Sequence, residues 1–330
     1  MYWYEDTSKN DVVLSTRVRF ARNLAGIPFP DALDDKGRRE VCDRASKAFD
    51  GWERFDFEKL GETEKNAYTE THLCSPQFAS SDRKGRILLV GEGGAVSVMV
   101  NEEDHFRIQA IVSGLDPQRA FDLACAADDR LSSEKIAFSD RLGYLTACPT
   151  NLGCAMRISA MLHLPALSGA GELRRLAAGA DQLGFTLRGA FGEGSDSLGD
   201  LYQISNKSSF DGSEQDIIKA FSKVIGQITE AEMKLRKQAA KDSIELEDRV
   251  WRSFGVLSHA RSVSYGEFAR CWSDLRLGVT VGIIDKPDLA VLDRLLVELM
   301  PARLCLRDMS AADPAKRDAL RAELLRKEFN

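Results

Sequence analysis

The sequence of 330 residues lacks any apolar run close to the ~20 residues that a membrane-spanning helix needs. It also lacks an excess of positive charge, since 45 Lys and Arg oppose 51 Asp and Glu and leave a formal net charge of -6. That balance argues against general binding to nucleic acid or to a membrane surface. The N-terminal residues 1–6 have neither the basic start nor the apolar stretch of a signal peptide. We therefore expect a cytoplasmic protein with no nucleic-acid and no membrane partner.

Paired cysteine motifs are absent as well. The seven cysteines are an odd number, they are scattered, and none of them forms a CxxC pair. Neither a zinc site nor a disulfide framework is indicated, and we predict no metal-ligating residues. This usage fits a reducing compartment. With 44% hydrophobic residues the chain can bury a large core, and its length is typical of two domains or of one large domain with an appendage.

The densest group of charged residues is Asn101–Arg107, which follows a short apolar run that predicts a buried strand. Its three consecutive carboxylates repel one another, so at least one must bind a cation or have a raised pKa. A continuing strand would place Glu103, His105 and Arg107 on one side. That set offers an anion for a cationic substrate and a cation for an anionic one. A solvated turn between strands is the alternative.

A strand is also predicted over residues 11–20, where Arg17 and Arg19 are two apart and so share a face. Two adjacent guanidinium groups repel unless an anion lies between them, and phosphate suits the arginine fork best. Salt bridges to nearby Asp or Glu are the alternative. A single histidine such as His72 is more often structural than a ligand.

Cys148 lies in a Pro-, Asn- and Gly-containing turn between a predicted strand and a predicted helix over Arg157–Leu164. Helix N-termini attract anions and lower the pKa of thiols. This placement makes Cys148 a candidate reactive thiol and Arg157 a candidate anion ligand. The alternative for Cys148 is a small buried apolar side chain.

Residues 185–206 predict a strand, a glycine-rich loop and a second strand. The glycines allow the backbone to approach a ligand closely and the loop to move, although a hairpin without a ligand is the alternative. Elsewhere the spacing of apolar residues predicts a pair of helices over residues 34–60 and an amphipathic helix over 117–131. Beyond a hinge at 238–243 the chain is predicted to be helical, with helices over 250–260, 265–278, 287–300 and 314–329.

Four motifs occur in order: STRVR at Ser15–Arg19, NEEDHxR at Asn101–Arg107, CPTNLG at Cys148–Gly153 and RGxxGE at Arg188–Glu193. Together they resemble the ATP:guanido phosphotransferases over nearly the whole chain. Within that family the chain is most similar to the bacterial protein-arginine kinases of the McsB type. Arg317–Ala322 matches RDxxRA, the phosphoarginine-binding motif of that branch.

The resemblance implies an α+β fold. Residues 1–240 would form the phosphotransferase domain, a large antiparallel sheet flanked by helices like that of glutamine synthetase. Residues 241–330 would form a helical C-terminal domain that carries the phosphoarginine motif and is a candidate for dimerisation.

The resemblance also assigns site residues. Glu103 would bind the substrate guanidinium and position its nitrogen, Cys148 would lie beside it as a thiolate, and Asp196 would be the second substrate carboxylate. The implied ATP-binding set is Ser15, Thr16, Arg17, Val18, Arg19, His72, Arg107, Arg157, Ile158, Ser159, Ala160, Met161, Arg188, Gly189, Ala190, Phe191, Gly192 and Glu193. The implied phosphoarginine-binding set is Arg317, Asp318, Arg321 and Ala322.

Three positions depart from the family pattern. Cys154-Ala155 stands where the family reads Thr-Gly, and Asp196 stands where a glutamate is expected. Phe191 replaces a phosphate-binding arginine of the creatine and free-arginine kinases, which favours the protein-kinase branch.

The function expected from the resemblance is ATP- and Mg²⁺-dependent phosphorylation of arginine side chains in proteins, as a mark for quality control. The implied partners are protein substrates bearing arginine, an activator like McsA, a Clp-type protease or chaperone, and further copies of the chain in a homo-oligomer. One alternative is a free-arginine (phosphagen) kinase. Another is a catalytically weak adaptor that binds phosphoarginine.

Overall fold

A computed structural model of the chain describes residues 2–5, 10–189, 197–210, 212–241 and 243–329. Within these ranges the backbone forms ten β-strands and twelve α-helices. The strands are β1 Val13–Arg22, β2 Glu53–Asp56, β3 Ile87–Gly91, β4 Val96–Val100, β5 Phe106–Ser113, β6 Phe138–Ser139, β7 Gly143–Tyr144, β8 Met156–His163, β9 Phe185–Gly189 and β10 Leu201–Asn206. The helices are α1 Asp35–Ala48, α2 Glu62–Glu70, α3 Pro76–Ser80, α4 Pro117–Asp128, α5 Pro165–Gly169, α6 Leu173–Gln182, α7 Glu214–Ala239, α8 Ile244–His259, α9 Tyr265–Thr280, α10 Leu289–Glu298, α11 Pro301–Arg307 and α12 Pro314–Phe329.

Eight strands form one sheet in the order β2-β3-β4-β5-β1-β8-β10-β9, and β6 pairs with β7 separately. The neighbouring strands from β2 to β1 are antiparallel. The sheet and the helical C-terminal region confirm the predicted fold class. The strands β9 and β10 also confirm the prediction of strands on both sides of the glycine-rich loop.

The register of β1 against β5 decides which side chains share a face. Arg19 lies opposite Gln109, and Ala21 lies opposite Arg107. Residues directly opposite in an antiparallel pair project to the same face, and so do residues two apart along a strand. Arg17, Arg19 and Arg107 therefore project from one face of the sheet. The predicted alternation in β1 is confirmed, because Arg17 and Arg19 are its only two partly exposed positions.

Contacts between residues divide the chain into two compact units. The first comprises Met1–Trp3, Ser15–Ser159 and Ser205–Ser222. Its strands β3 and β4 are buried along their whole length, as their continuous apolar sequences lead one to expect. Leu88 of β3 and Met99 of β4 pack with Phe57, Leu73 and Phe78 in one apolar cluster.

The second unit comprises Tyr4–Leu14, Ala160–Ile204 and Lys223–Asn330. It contains a buried ion pair on α7, in which Arg236 Nε lies 2.7 Å from Glu232 Oε1 and both side chains are fully buried. Arg236 and Arg276 both donate hydrogen bonds to the backbone oxygen of Asp11, at 2.8 and 2.6 Å. These contacts attach the N-terminal segment of this unit to α7 and α9.

Two predictions of helices are wrong. The pair of helices predicted over residues 34–60 is one helix, α1, followed by the short strand β2. The helix predicted over Arg157–Leu164 is the strand β8. Its sequence, Met-Arg-Ile-Ser-Ala-Met-Leu-His, is compatible with a helix. Pairing with β1 and β10 places the strand inside the sheet, where every residue except Arg157 is buried. This pairing outweighs the local preference.

The helices predicted in the C-terminal region are confirmed as α8, α9, α10 and α12. Asp313 caps α12 as expected, because its Oδ1 accepts hydrogen bonds from the backbone nitrogens of Ala315 and Lys316 at 2.8 and 3.2 Å. The amphipathic helix predicted over 117–131 is α4, which buries Ala120, Ala124 and Ala127.

Candidate active site

Four arginines form the cationic part of the site. Arg17, Arg19 and Arg107 share a face of the sheet, and Arg157 projects from β8. Burial, followed by the charges of Arg107 and Arg157, lowers the pKa of Arg17 to about 10. Burial and the charges of the other three arginines lower the pKa of Arg19 well below its ordinary value. An anion bound here would relieve this repulsion.

One of these arginines offers a hydrogen-bond donor for such an anion. Arg17 Nε donates to Ser159 Oγ at 3.3 Å. Arg19 Nε is buried and has no hydrogen-bond partner among the residues that the structure describes. A buried guanidinium donor without a partner is costly. A phosphate oxygen is a ligand that would satisfy it.

The segment Asn101–His105 is a turn rather than a strand, and β5 begins only at Phe106. Asn101 has a φ of 61°, and its backbone nitrogen donates to the oxygen of His105 at 3.0 Å. The prediction that Glu103, His105 and Arg107 project to one side of a continuing strand is therefore wrong. The turn instead gives each of the three consecutive carboxylates its own surroundings.

Glu102 and Asp104 are occupied by contacts within the protein. Glu102 forms an ion pair with Arg107 and accepts a hydrogen bond from the Ser75 hydroxyl. Asp104 is buried and accepts hydrogen bonds from Asn23 Nδ2 at 2.6 Å and from the backbone nitrogen of Ala147 at 2.8 Å. Burial raises the pKa of Asp104, and these two hydrogen bonds oppose the rise.

Glu103 is the exposed member of the three. Desolvation raises the pKa of its carboxyl group, and the charge of Asp104 adds to the rise. The charge of Arg107 and a hydrogen bond with Cys148 act in the opposite direction. Glu103 is thus the carboxylate that a guanidinium from outside can reach, and Cys148 lies next to it.

His105 does not contribute charge to the site, contrary to expectation. It is fully buried, Leu24 N donates to its Nδ1 at 3.0 Å, and its Nε2 lies 2.9 Å from the oxygen of Pro28. Burial lowers the pKa of His105 to about 4, so the ring is neutral near pH 7. His72 lies 5.7 Å from the ring of Trp3. Burial and the charge of Arg17 lower the pKa of His72 to about 4.

The loop that carries Cys148 is fixed at both ends, although the helix expected after it does not exist. Cys148 precedes a single 3-10 turn, and its Sγ lies 3.0 Å from Thr150 Oγ1. At the far end, Gly153 N donates to the oxygen of Leu142 at 2.8 Å. Gly153 has a φ of 93°, and a Cβ there would lie 2.2 Å from the oxygen of Ser209. Only glycine fits this position.

Two cavities meet at Glu103 and Arg107, which line both of them. The small cavity, of about 100 Å³, is also lined by Arg19, Arg157 and Cys148. The large cleft, of about 470 Å³, is also lined by Gln77, Ser81, Arg83 and Asp31. Glu103 therefore lies between a pocket walled by arginines and an open cleft.

The remaining predicted ATP-binding residues have varied positions. Thr16 donates its hydroxyl to the oxygen of Gly114 at 2.6 Å, and Val18 is fully buried. Buried positions are also found for Ser15, Ile158, Ser159, Ala160 and Met161. Arg188 and Gly189 end β9, with Arg188 exposed. Ala190, Phe191, Gly192, Glu193 and the predicted catalytic Asp196 lie outside the described residues.

The four predicted phosphoarginine-binding residues lie on α12 and differ in accessibility. Arg321 is buried and donates to the oxygens of Val263 and Leu299 at 2.7 and 3.0 Å and to Asp318 Oδ1 at 2.5 Å. Ala322 is fully buried. Arg317 is half-buried, and its Nε has no hydrogen-bond partner within the part of the chain that the structure describes.

Sequence reasoning missed several residues that build the site. Ser75 holds Glu102, Asn23 holds Asp104, and Leu142 and Ser209 hold the Cys148 loop. Each is distant in sequence from the residue it holds, and no local pattern indicates such pairs.

Comparison with known proteins settles the family. The sequence model of the ATP:guanido phosphotransferase C-terminal catalytic domain matches residues 36–235. That of the protein-arginine kinase McsB C-terminal domain matches residues 243–330. The chain belongs to the ATP:guanido phosphotransferases. It is therefore a phosphotransferase, and ATP is the phosphoryl donor of its family.

Two relatives are similar over nearly the full length. A protein-arginine kinase of Syntrophomonas wolfei is 39% identical over 98% of this chain and 93% of its own. One of Pelotomaculum thermopropionicum is 40% identical over 99% of this chain and 95% of its own.

Solved structures agree in fold. A lombricine kinase superposes with a TM-score of 0.61 at 22% identity, covering 73% of this chain and 72% of its own. The duplicated taurocyamine kinase of Schistosoma mansoni, with bound transition state analogue components, superposes with a TM-score of 0.62 at 20% identity. That match covers 84% of this chain and 48% of the kinase. Among the described residues, no helix has the length and apolar character needed to cross a membrane.

Proposed function

We propose that this chain is a protein-arginine kinase, which transfers the γ-phosphoryl group of ATP to arginine side chains of proteins. One observation carries the proposal: Glu103 and Arg107 line both the small arginine-walled cavity and the large cleft. A nucleotide on one side of Glu103 and a polypeptide arginine on the other would meet there. The near full-length similarity to relatives named protein-arginine kinases supports it.

On the nucleotide side, Arg17, Arg19, Arg107 and Arg157 would hold the ATP phosphates. Phosphoryl transfer asks a protein mainly to position two groups in line and to neutralise charge. These four guanidinium groups supply that neutralisation, and burial together with the charges of Arg107 and Arg157 already lowers the pKa of Arg17. The charge that destabilises the empty cluster would stabilise the complex with nucleotide. The remaining residues of the predicted ATP set would contribute backbone and edge contacts around this cluster.

On the substrate side, Glu103 would hold the guanidinium. A guanidinium is protonated near neutral pH and is a poor nucleophile until it loses a proton. The Glu103 carboxylate would accept that proton as the nitrogen forms its bond to the γ-phosphorus. The bond from that phosphorus to the bridging oxygen then breaks, and ADP leaves with the electron pair. Cys148, hydrogen-bonded to Glu103, would contact the same guanidinium, and Asp196 would add a second carboxylate.

We expect Mg²⁺ to enter with ATP. Mg²⁺ commonly keeps several waters and binds phosphate oxygens with one or two carboxylates rather than a protein cage. Among the described residues there is no group of three His, Cys, Asp or Glu that could hold an ion by itself. Bound Mg²⁺ would neutralise phosphate charge.

The proposal extends to the C-terminal region and to partners. We propose a division into a phosphotransferase domain, 1–240, and a helical domain, 241–330, in which Arg317 and Asp318 bind phosphoarginine while Arg321 and Ala322 support them. We further propose that the kinase acts in the cytoplasm as a homo-oligomer. An activator like McsA and a Clp-type protease or chaperone would link it to quality control. All seven cysteines are free, which supports a reducing compartment.

One assay tests the proposed activity. The protein is incubated with ATP and Mg²⁺ and with either an unfolded protein or free arginine, and acid-labile phosphate on each is measured. We expect labelling of the protein substrate. Labelling of free arginine alone would indicate a phosphagen kinase, and phosphoarginine binding without transfer would indicate an adaptor.

A further inference from the structure

The large cleft extends beyond the point where a guanidinium would bind. Glu103 and Arg107 line it together with Gln77, Ser81, Arg83 and Asp31. These residues all belong to the first unit. A volume of about 470 Å³ is in the range of sites that enclose whole ligands rather than one functional group. A substrate held at Glu103 would therefore place its neighbouring atoms along this wall.

Three arginines line the large cleft, and two are already committed. Arg107 forms an ion pair with Glu102. Arg86 is buried, and it donates to the backbone oxygens of Arg83, Phe78 and Ser81. All three guanidinium nitrogens of Arg86 are thus engaged, and Arg107 is proposed to bind phosphate.

Arg83 differs from both. Its side chain is 43% exposed, and it forms an ion pair with Asp31, which is 69% exposed. Within the described residues, that carboxylate is the only side-chain partner of the Arg83 guanidinium. Exposed ion pairs contribute little to stability. The arginine fork has five donors, so a second carboxylate can bind Arg83 beside Asp31 or in its place.

We propose that Arg83 binds a carboxylate carried by the substrate beside its target arginine, so that the kinase prefers arginines next to Asp or Glu. This inference rests on the proposed function, because it takes the substrate to be a polypeptide. The α-carboxylate of free arginine has the same chemistry and is the other source to be distinguished. Glu103 and Arg83 line the same cleft, so they would bind a cation and an anion of one substrate.

Three peptides test this specificity. Each carries a single arginine, flanked on both sides by Glu, Gln or Lys, and kcat/KM for phosphorylation is measured for each. The wild-type protein should prefer the Glu peptide over the Gln peptide by about two- to fivefold, as expected for a solvent-accessible charge pair. Arg83→Glu should reverse the order and favour the Lys peptide. Asp31→Asn should increase the preference for Glu.

Matched controls separate charge at this position from charge in general. Lys84→Ala removes the adjacent exposed cation and should leave the order of the peptides unchanged. Arg83 and Asp31 are exposed, so the variants should fold, and equal melting temperatures would verify this.

Three results would overturn the inference while leaving the proposed function intact. The first is equal use of the three peptides by the wild-type protein. The second is an acidic preference that persists in Arg83→Glu. The third is a fall in kcat/KM of Arg83→Glu for free arginine only, with the values for argininamide and the peptides unchanged. That result would assign Arg83 to the α-carboxylate of free arginine. Failure of the wild-type protein to phosphorylate any peptide would instead overturn the proposed function, and this inference with it.

Discussion

Arg107 forms its ion pair with Glu102, and this leaves the adjacent carboxylate, Glu103, exposed where the two cavities meet. The two glutamates are neighbours in sequence but have different partners. Glu102 is held by Arg107 and by the Ser75 hydroxyl, whereas Glu103 contacts Cys148. Glu102 thus orients Arg107, which is proposed to bind phosphate, and Glu103 is available to a guanidinium. Nucleotide binding and activation of the substrate both depend on this separation of charge.

Removing an arginine from the cluster should weaken nucleotide binding without destabilising the fold. Arg17→Ala and Arg157→Ala each remove charge-assisted hydrogen bonds to phosphate, and we expect the Kd for ATP to rise by roughly 10- to 100-fold. The free energy of unfolding should stay constant or rise, because each change removes part of the repulsion that, after burial, lowers the pKa of Arg17.

Titration of a fluorescent ATP analogue, with urea unfolding of the same variants, checks both parts. Arg174→Ala, on the exposed face of α6, is the matched control and should change neither the nucleotide affinity nor the free energy of unfolding. Unchanged nucleotide affinity in both cluster variants would show that these arginines are salt-bridge partners only.

Replacing Ala155 with glycine should stabilise the protein by about 1 kcal/mol. Ala155 has a φ of 52°, a left-handed conformation that costs a residue with a Cβ about 1–2 kcal/mol. Part of this gain is offset by the larger entropy of glycine in the unfolded chain. Ala160→Gly, in the strand β8, is the control and should destabilise. A lower urea midpoint for Ala155→Gly would mean that packing of the buried Ala155 methyl outweighs backbone strain.

Stability should fall in acid partly through His105. Burial lowers the pKa of native His105 to about 4, against 6.5 ordinarily. Between these values the unfolded chain binds a proton that the native protein does not, so the free energy of unfolding decreases as pH falls. The slope from one such histidine is at most about 1.4 kcal/mol per pH unit.

Urea unfolding of the wild type and of His105→Gln at pH 7, 6 and 5 isolates this contribution from those of the other acids and histidines. The variant should be less stable at pH 7 but show a shallower decline. Parallel pH profiles would contradict a neutral buried His105.

The RDxxRA residues should separate into binding and structural roles. Arg317→Ala combined with Asp318→Asn should abolish phosphoarginine binding and keep the fold, because the amide oxygen can still accept from Arg321. Arg321→Ala should instead lower the melting temperature, since it leaves the oxygens of Val263 and Leu299 without their buried donor. Calorimetry with phosphoarginine and thermal unfolding distinguish the two. Binding by the double variant equal to that of the wild type would show that Arg317 and Asp318 are ordinary charged residues of α12 and do not bind phosphoarginine.

The sequence was sufficient for features that depend on short-range pattern. The period of two in β1 predicted that Arg17 and Arg19 share a face, and the motifs predicted the large sheet and the helical C-terminal region. It was insufficient where distant partners decide. The segment after Arg157 is compatible with a helix, and only its pairing in the sheet makes it a strand.

The three consecutive carboxylates show the same limit within the site. They look equivalent in sequence, but Glu102 accepts a hydrogen bond from Ser75 and Asp104 accepts one from Asn23. Glu103 is therefore the carboxylate that is left for a substrate. Likewise, nothing in the RDxxRA motif reveals that Arg321 is buried.

The role of Glu103 is tested most directly by single-turnover transfer of phosphate from ATP to an unfolded protein, in the wild type and in Glu103→Gln. The glutamine keeps the shape but cannot accept a proton, so the rate should fall by about 10²- to 10⁴-fold while ATP affinity stays unchanged. The wild-type rate should also rise with pH through a pKa above the ordinary glutamate value, since desolvation raises the pKa of Glu103. A Glu103→Gln rate close to that of the wild type would contradict the account.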